Sequence, residues 1–365
     1  MIIKLDDSFD AVDLESNRIA RDAVEAACGA AAKGHHYVFA GRSLLKKLSN
    51  SASLSVTSRG VCRELLAGYT FLASVVRKLK YVVEVSCGVE VVERRGATEW
   101  VIPARQIADH GIRPSILLAE NSSDAEVYGH AARHFRLSEG MGSIEINIEP
   151  RNGNGAGTAG ELRRISRRPS EWCLCITDSD LECPAGALGA TSRGCGRVIE
   201  EEIRSVVAHV ATAGRELENT IPSSLFGFVH EDLHRDEWEV YKLREVDCGP
   251  DALLFADLKL GTRLCKLMRM NENSPARVFW IGRAKNIGGF ADCIKAETCP
   301  EVREDTCFLV SGFGESAASR IHEFLDSNSP HKSYEISKNS WNIGGWLDIG
   351  AHVFYAGAAP KPLRV

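Results

Sequence analysis

Asp178 and Asp180 close the apolar part of the stretch Trp172–Cys183, WCLCITDSDLEC, with one serine between them. The run before them has the length of a strand and is oily on both faces, so it belongs inside a sheet covered on both sides. The carboxylates then emerge where the strand stops, which in open α/β sheets is where ligands bind. Side chains alternate with period two on an extended backbone, so Asp-Ser-Asp sets both acids on one side. Two such anions a few ångströms apart repel by about 4 kcal/mol at an effective dielectric near 20. The chemistry that resolves this repulsion is a divalent metal.

Further acids follow the other strands of the same segment. Ile116-Leu117-Leu118-Ala119 is a short apolar strand ending at Glu120, and Asn121-Ser122-Ser123 offers the cap of a helix over Asp124–Leu137. Ser143–Glu149, SIEINIE, alternates strictly, which predicts a strand with one wet face at a sheet edge. A glycine-rich loop, NGNGAGTAG, leads into a short basic helix over Glu161–Arg168. Beyond the aspartates, a helix over Arg197–Ser205 precedes a strand around Val206–Ala213, which runs into Glu216 and Glu218. Strands alternating with helices predict a parallel sheet with right-handed crossovers. The wet second strand wants an edge, which favours the order 2-1-3-4. Glu120 and the aspartate pair then face one crevice at the carboxyl edge, and Glu216 and Glu218 leave the fourth strand there too.

Glu120-x-x-x-Asp124 after one strand and Asp178-Ser-Asp180 after a later one resemble the TOPRIM fold of topoisomerases, primases and OLD-type nucleases. The resemblance covers about Pro114–Pro222. The spacing, the glycine-rich loop and Arg215-Glu-Leu-Glu-Asn219 look most like the TOPRIM nucleases of bacterial phage defence. Where that family has Glu-Gly after the first strand, this chain has Glu120-Asn121, which asks for a different turn. The resemblance implies a metal-dependent endonuclease that cuts DNA or RNA. Glu120 would bind metal or act as general base, supported by Asp124. Asp178 and Asp180 would hold Mg²⁺ or Mn²⁺, and Glu216 or Glu218 would complete a second metal site. Hard oxygen ligands select such cations, and a metal pair can clamp both oxygens of phosphodiester hydrolysis. Lys259 is the candidate for the positive group that meets transition-state charge, by analogy. Arg163, Arg164, Arg167 and Arg168 form a basic cluster that either holds a nucleic-acid backbone or is a solvated helix face. The family often works beside an ATPase, and with no Walker motif in this chain such a partner would be a separate subunit.

Other motifs are weaker in context. Gly155-Ala-Gly157-Thr-Ala-Gly160 fits a dinucleotide fingerprint, but the strand before it is polar on one face and its helix is cut short at Pro169. His230-Glu-Asp-Leu-His234 fits a zinc-protease pattern, but the charges around it read as a wet helix or loop. Cys173 and Cys175 sit on one face of a core strand, where cysteine serves as a small hydrophobe. Asp-x-Asp also binds Mn²⁺ in nucleotide-sugar glycosyltransferases, a class that does not require Glu120 or Glu218. A catalytically silent TOPRIM scaffold that binds a partner or nucleic acid is the remaining alternative.

The whole chain bounds these readings. Its 365 residues suit two or three domains, and 44% hydrophobic with 25% charged residues is globular. A net charge of −5 argues against nucleic-acid binding by the surface as a whole, though not by a local groove. The acidic start MIIKLDDSFD lacks the order of a secretory signal, and no stretch is long and apolar enough for a membrane span. Twelve scattered cysteines fit reduced thiols in a cytoplasm. The expected organisation is α/β: a TOPRIM-like domain over 113–222, an N-terminal α+β region over 1–112 and a C-terminal α+β region over 223–365. Within 1–112, one helix is expected over Arg59–Lys80.

Overall fold

The computed structural model describes residues 1–201, 204–285, 287–296 and 307–363. The chain is α/β and divides into two compact units. One comprises Met1–Ile176, Gly194–Val210 and Gly350–Val365, and the other Thr177–Arg193 and Ala211–Ile349. These limits do not coincide with sequence boundaries at 112 and 222.

In the first unit, β1 (Ile2–Leu5), β2 (Tyr37–Phe39), β3 (Val82–Ser86), β4 (Glu93–Arg94) and β5 (Glu99–Pro103) form a sheet in the order β2-β1-β3-β5-β4. All described pairs are parallel except β4–β5. The N-terminal stretch, expected as α+β, is therefore parallel-dominated: helices carry the chain back from β1 to β2 and from β2 to β3, and β4 lies in the return from β3 to β5. Trp100 on β5 is 1% exposed and stacks on Tyr81 at 5.9 Å between centroids. Trp100→Ala is expected to lower the unfolding free energy by about 3–5 kcal/mol, read by urea denaturation. The helix expected over Arg59–Lys80 is two helices, Val56–Ala67 and Tyr69–Lys78, parted at Gly68. Glycine's conformational freedom weakens a helix interior, and here it ends one helix and begins the next.

The second sheet holds β6 (Ser115–Ala119), β8 (Ile148–Asn152), β9 (Cys173–Thr177) and β10 (Val207–Ala211), in the order β10-β9-β6-β8, while β7 (Glu145–Ile146) lies outside it. β6 pairs parallel with both β8 and β9. Ile116, Leu118, Cys173, Cys175 and Val207 form one core with Leu162, Ile165, Cys195 and Val198 from the helices. The strand expected over Ser143–Glu149 is broken at Asn147. Its first half, β7, pairs antiparallel with Ala358–Ala359, and Asn147 N–H donates to the Gly357 carbonyl at 2.7 Å. Pairing with β6 begins only at Ile148 and runs through Pro150, a residue tolerated on an edge strand. The helix expected over Arg197–Ser205 is found at Ala190–Glu200, and residues 202 and 203 lie outside the described residues.

The second unit is mostly helical. Its described elements include helices Ser223–His230, Arg235–Asp247, Pro275–Ala284 and Ala317–Ser327, and the antiparallel pair β11 (Thr262–Arg263) and β12 (Phe308–Val310). Phe226, Tyr241, Leu258, Trp280, Leu309 and Phe313 are among its buried side chains. Among the described residues, no helix is long and apolar enough to cross a membrane.

Candidate metal centre

The second unit begins its two main segments at Thr177 and Ala211, the last residues of β9 and β10. The acids expected at those strand ends therefore enter this unit as two turns, and hydrogen bonds tie the turns together. Thr212 N–H donates to the Thr177 carbonyl at 3.0 Å, and Asp180 N–H to the Arg215 carbonyl at 2.8 Å. Ser179, fully buried, donates its backbone N–H to Thr212 Oγ1 at 3.0 Å and its hydroxyl to the Gly214 carbonyl at 2.6 Å. The serine between the aspartates is thus a clamp rather than a spacer.

Asp178 is half-buried and Asp180 exposed. Asp180 has φ +54, so the period-two argument fails at that position. Aspartate tolerates this left-handed region better than most residues. The turn also needs a glycine beneath it: a Cβ at Gly189 would sit 1.8 Å from Asp180 Oδ2.

Glu216 caps the short helix Leu217–Thr220, with Asn219 Oδ1 accepting from its N–H at 2.9 Å. Asn219 in turn donates to the carbonyls of Leu253 and Ala256, which fixes the cap against the next loop. Glu218, 1% exposed, lies in that helix. Lys259 Nζ stands 3.5 Å from Glu216 Oε2 and 3.3 Å from Glu218 Oε2. Among the described residues, both oxygens of Glu218 and Oε2 of Glu216 have no hydrogen-bond donor beyond that ammonium. Burial works against the charge of Lys259, but Glu218, Glu216 and Asp178 more than offset it and raise its pKa.

Burial pushes Glu218 up to about 7, with Lys259 opposing the shift and Glu216 adding to it. The folded protein then holds a proton that the unfolded chain releases. The stability this group contributes is complete below about 4.5 and is lost as pH rises through about 7, roughly 3 kcal/mol in all. Urea titrations of Glu218→Gln between these pH values are expected to show a flatter slope than the parent. An identical slope would remove the assignment of a buried acid.

Sequence reasoning missed Arg215 and Asp257. Arg215 reaches Asp257 at 3.2 Å, Glu216 at 3.5 Å and Glu182 at 3.7 Å. Asp257 also opens the loop that carries Lys259, accepting from Leu260 N–H at 2.7 Å. The available signal was the abundance of acids around a single Arg215 in Gly214–Asn219, which asks for an internal partner.

The remaining candidates lie in the first unit. Glu120 follows β6, the parallel neighbour of the strand that Asp178 follows, and its carbonyl accepts from Gly155 N–H at 2.9 Å. Asp124 Oδ2 accepts from Asn121 N–H at 3.2 Å and closes the capping box of helix Ser122–Ser138. The arginine cluster is largely ion-paired: Arg163 with Glu201 at 2.6 Å, Arg164 with Glu161, and Arg168 with Glu171 at 3.2 Å, while Arg167 is exposed. Back in the second unit, His230 ends its helix fully buried, 4.6 Å from the Phe226 ring, and burial lowers it to about 4. The expected wet face is absent at His230. Nor do the two histidines share a helix, since His234 caps the next one.

The donor set fits a hard cation. It consists of carboxylates, and its buried oxygens already point at a positive charge. The chain matches no protein-family model, no curated protein and no solved structure.

Proposed function

We propose that the protein is a divalent-metal-dependent nuclease of the TOPRIM kind, hydrolysing phosphodiester bonds of DNA or RNA as a phage-defence effector. The observation that carries this reading is the pairing of Glu216 and Glu218 with one cation, Lys259, whose charge Asp178 also favours. The order β8-β6-β9-β10, which is 2-1-3-4 within the segment, supports the TOPRIM likeness. Asp178, Glu216 and Glu218, with Asp180, would hold Mg²⁺ or Mn²⁺. The bound cation would supply Lewis-acid stabilisation of a phosphoryl oxygen and a more acidic water. Lys259 is the positive group available to a phosphate, while Arg215 is held by its carboxylates. Glu120 is the metal ligand or general base that the resemblance implies, and the exposed Arg167 is the arginine of the cluster left for a nucleic-acid backbone. An ATPase partner would be a separate subunit.

A second reading, a catalytically silent scaffold, is favoured by one feature: Lys259 already balances Glu216 and Glu218 without any metal. The test is incubation with plasmid, single-stranded DNA and tRNA, with and without Mn²⁺. Cleavage that requires Mn²⁺ supports the nuclease, metal binding without cleavage the scaffold, and turnover of a nucleotide sugar the glycosyltransferase.

A further inference from the structure

We infer that Lys259 is a resident cation standing where the divalent metal binds, so that metal uptake displaces its ammonium from Glu216 and Glu218. The inference rests on the metal reading above and adds to it a gate built into the chain.

The geometry sets up a direct competition. Nζ contacts one oxygen of each glutamate, at 3.5 and 3.3 Å, and those oxygens have no other donor among the described residues. A hard cation needs the same oxygens, and an ammonium left beside it would be repelled strongly in a partly buried site. One cation therefore excludes the other.

The side chain can leave, while its backbone stays. Gly314 N–H donates to the Lys259 carbonyl at 3.0 Å, Phe313 N–H to that of Leu258 at 2.8 Å, and Gly261 N–H to that of Asp257 at 3.0 Å. The loop is pinned on both sides of Lys259. The lysine side chain itself is 29% exposed, so rotation of its four-carbon stem carries the ammonium toward solvent. Arg215 has no such freedom: it is held among three carboxylates and is 17% exposed. The displaced lysine is then free to meet a phosphate, so that metal uptake and arming of the positive group become one event.

The test is Mn²⁺ binding, followed by the paramagnetic resonance of free Mn²⁺ at one fixed pH for every variant. Binding that survives Asp178→Asn is subtracted. Lys259→Met is expected to bind Mn²⁺ about tenfold or more tightly than the parent, because the competing charge is gone. Equal or weaker binding by a folded Lys259→Met, with the parent still binding, overturns the gate and leaves the metal site standing. No Mn²⁺ binding by either protein overturns the metal reading, and the gate with it. Should Lys259→Met fail to fold, the parent suffices. Labelling of Lys259 by an amine reagent, mapped by mass spectrometry, is expected to rise several-fold on Mn²⁺ binding. Constant labelling while Mn²⁺ binds overturns the inference.

Discussion

Asp178→Ala is expected to cut Mn²⁺-dependent cleavage by about a thousandfold while leaving the fold intact. Asp178 is the first residue beyond β9 and contributes to the field around Lys259, so its loss removes a hard ligand from the cation. The turn that carries it is anchored through its neighbours. Ser179 binds Thr212 and Gly214, and Asp180 N–H binds the Arg215 carbonyl, none of which needs the Asp178 side chain. Single-turnover cleavage, with circular dichroism as the control for folding, measures the effect. Parent-like rates in Asp178→Ala would take the strand-end aspartate out of the chemistry and leave the proposed nuclease without its centre.

Gly312→Ala is expected to destabilise the protein by about 2–4 kcal/mol. A Cβ there would lie 2.3 Å from the Lys259 carbonyl oxygen and 2.7 Å from the Gly261 nitrogen. Both are backbone atoms, so no side chain can step aside, and the loop holding Lys259 must move as a whole. Gly314→Ala makes a sharp comparison. Its Cβ would meet nothing within 4 Å, and only its φ of +86 opposes the change, at about 1–2 kcal/mol. Urea denaturation of the two variants separates contact from strain. A Gly312→Ala protein as stable as the parent would mean that the two loops do not press together.

The strands that carry the acids were legible because their signal is local. The runs that became β6 and β9 are continuously apolar, and Asn121 at the head of a helix is a cap in the sequence as in the fold. What escaped depends on residues remote along the chain. The break at Asn147 is set by Gly357 and the pair Ala358–Ala359, which no pattern within SIEINIE reveals. Burial of His230 likewise comes from Phe226 and Phe313, while the charges on its neighbours suggested water. At the site, the two strand-end glutamates could be named from position, but the cation between them could be named only by analogy. Arg215 and Asp257 went unnoticed because an ion pair between distant residues leaves no periodicity. Asp180 was misplaced in detail because a strand pattern was extended three residues too far, into a left-handed turn.

The buried hydroxyl of Ser179 has a mechanical consequence. By bonding the backbone that leads to Arg215 and Glu216, it couples the aspartate turn to the glutamate turn without a hinge between them. A shift imposed on one ligand is thereby delivered to the other, so the two halves of the acidic cradle should tighten or loosen in step. A hydroxyl engaged by a backbone carbonyl would then set how cooperatively the centre responds to its cation.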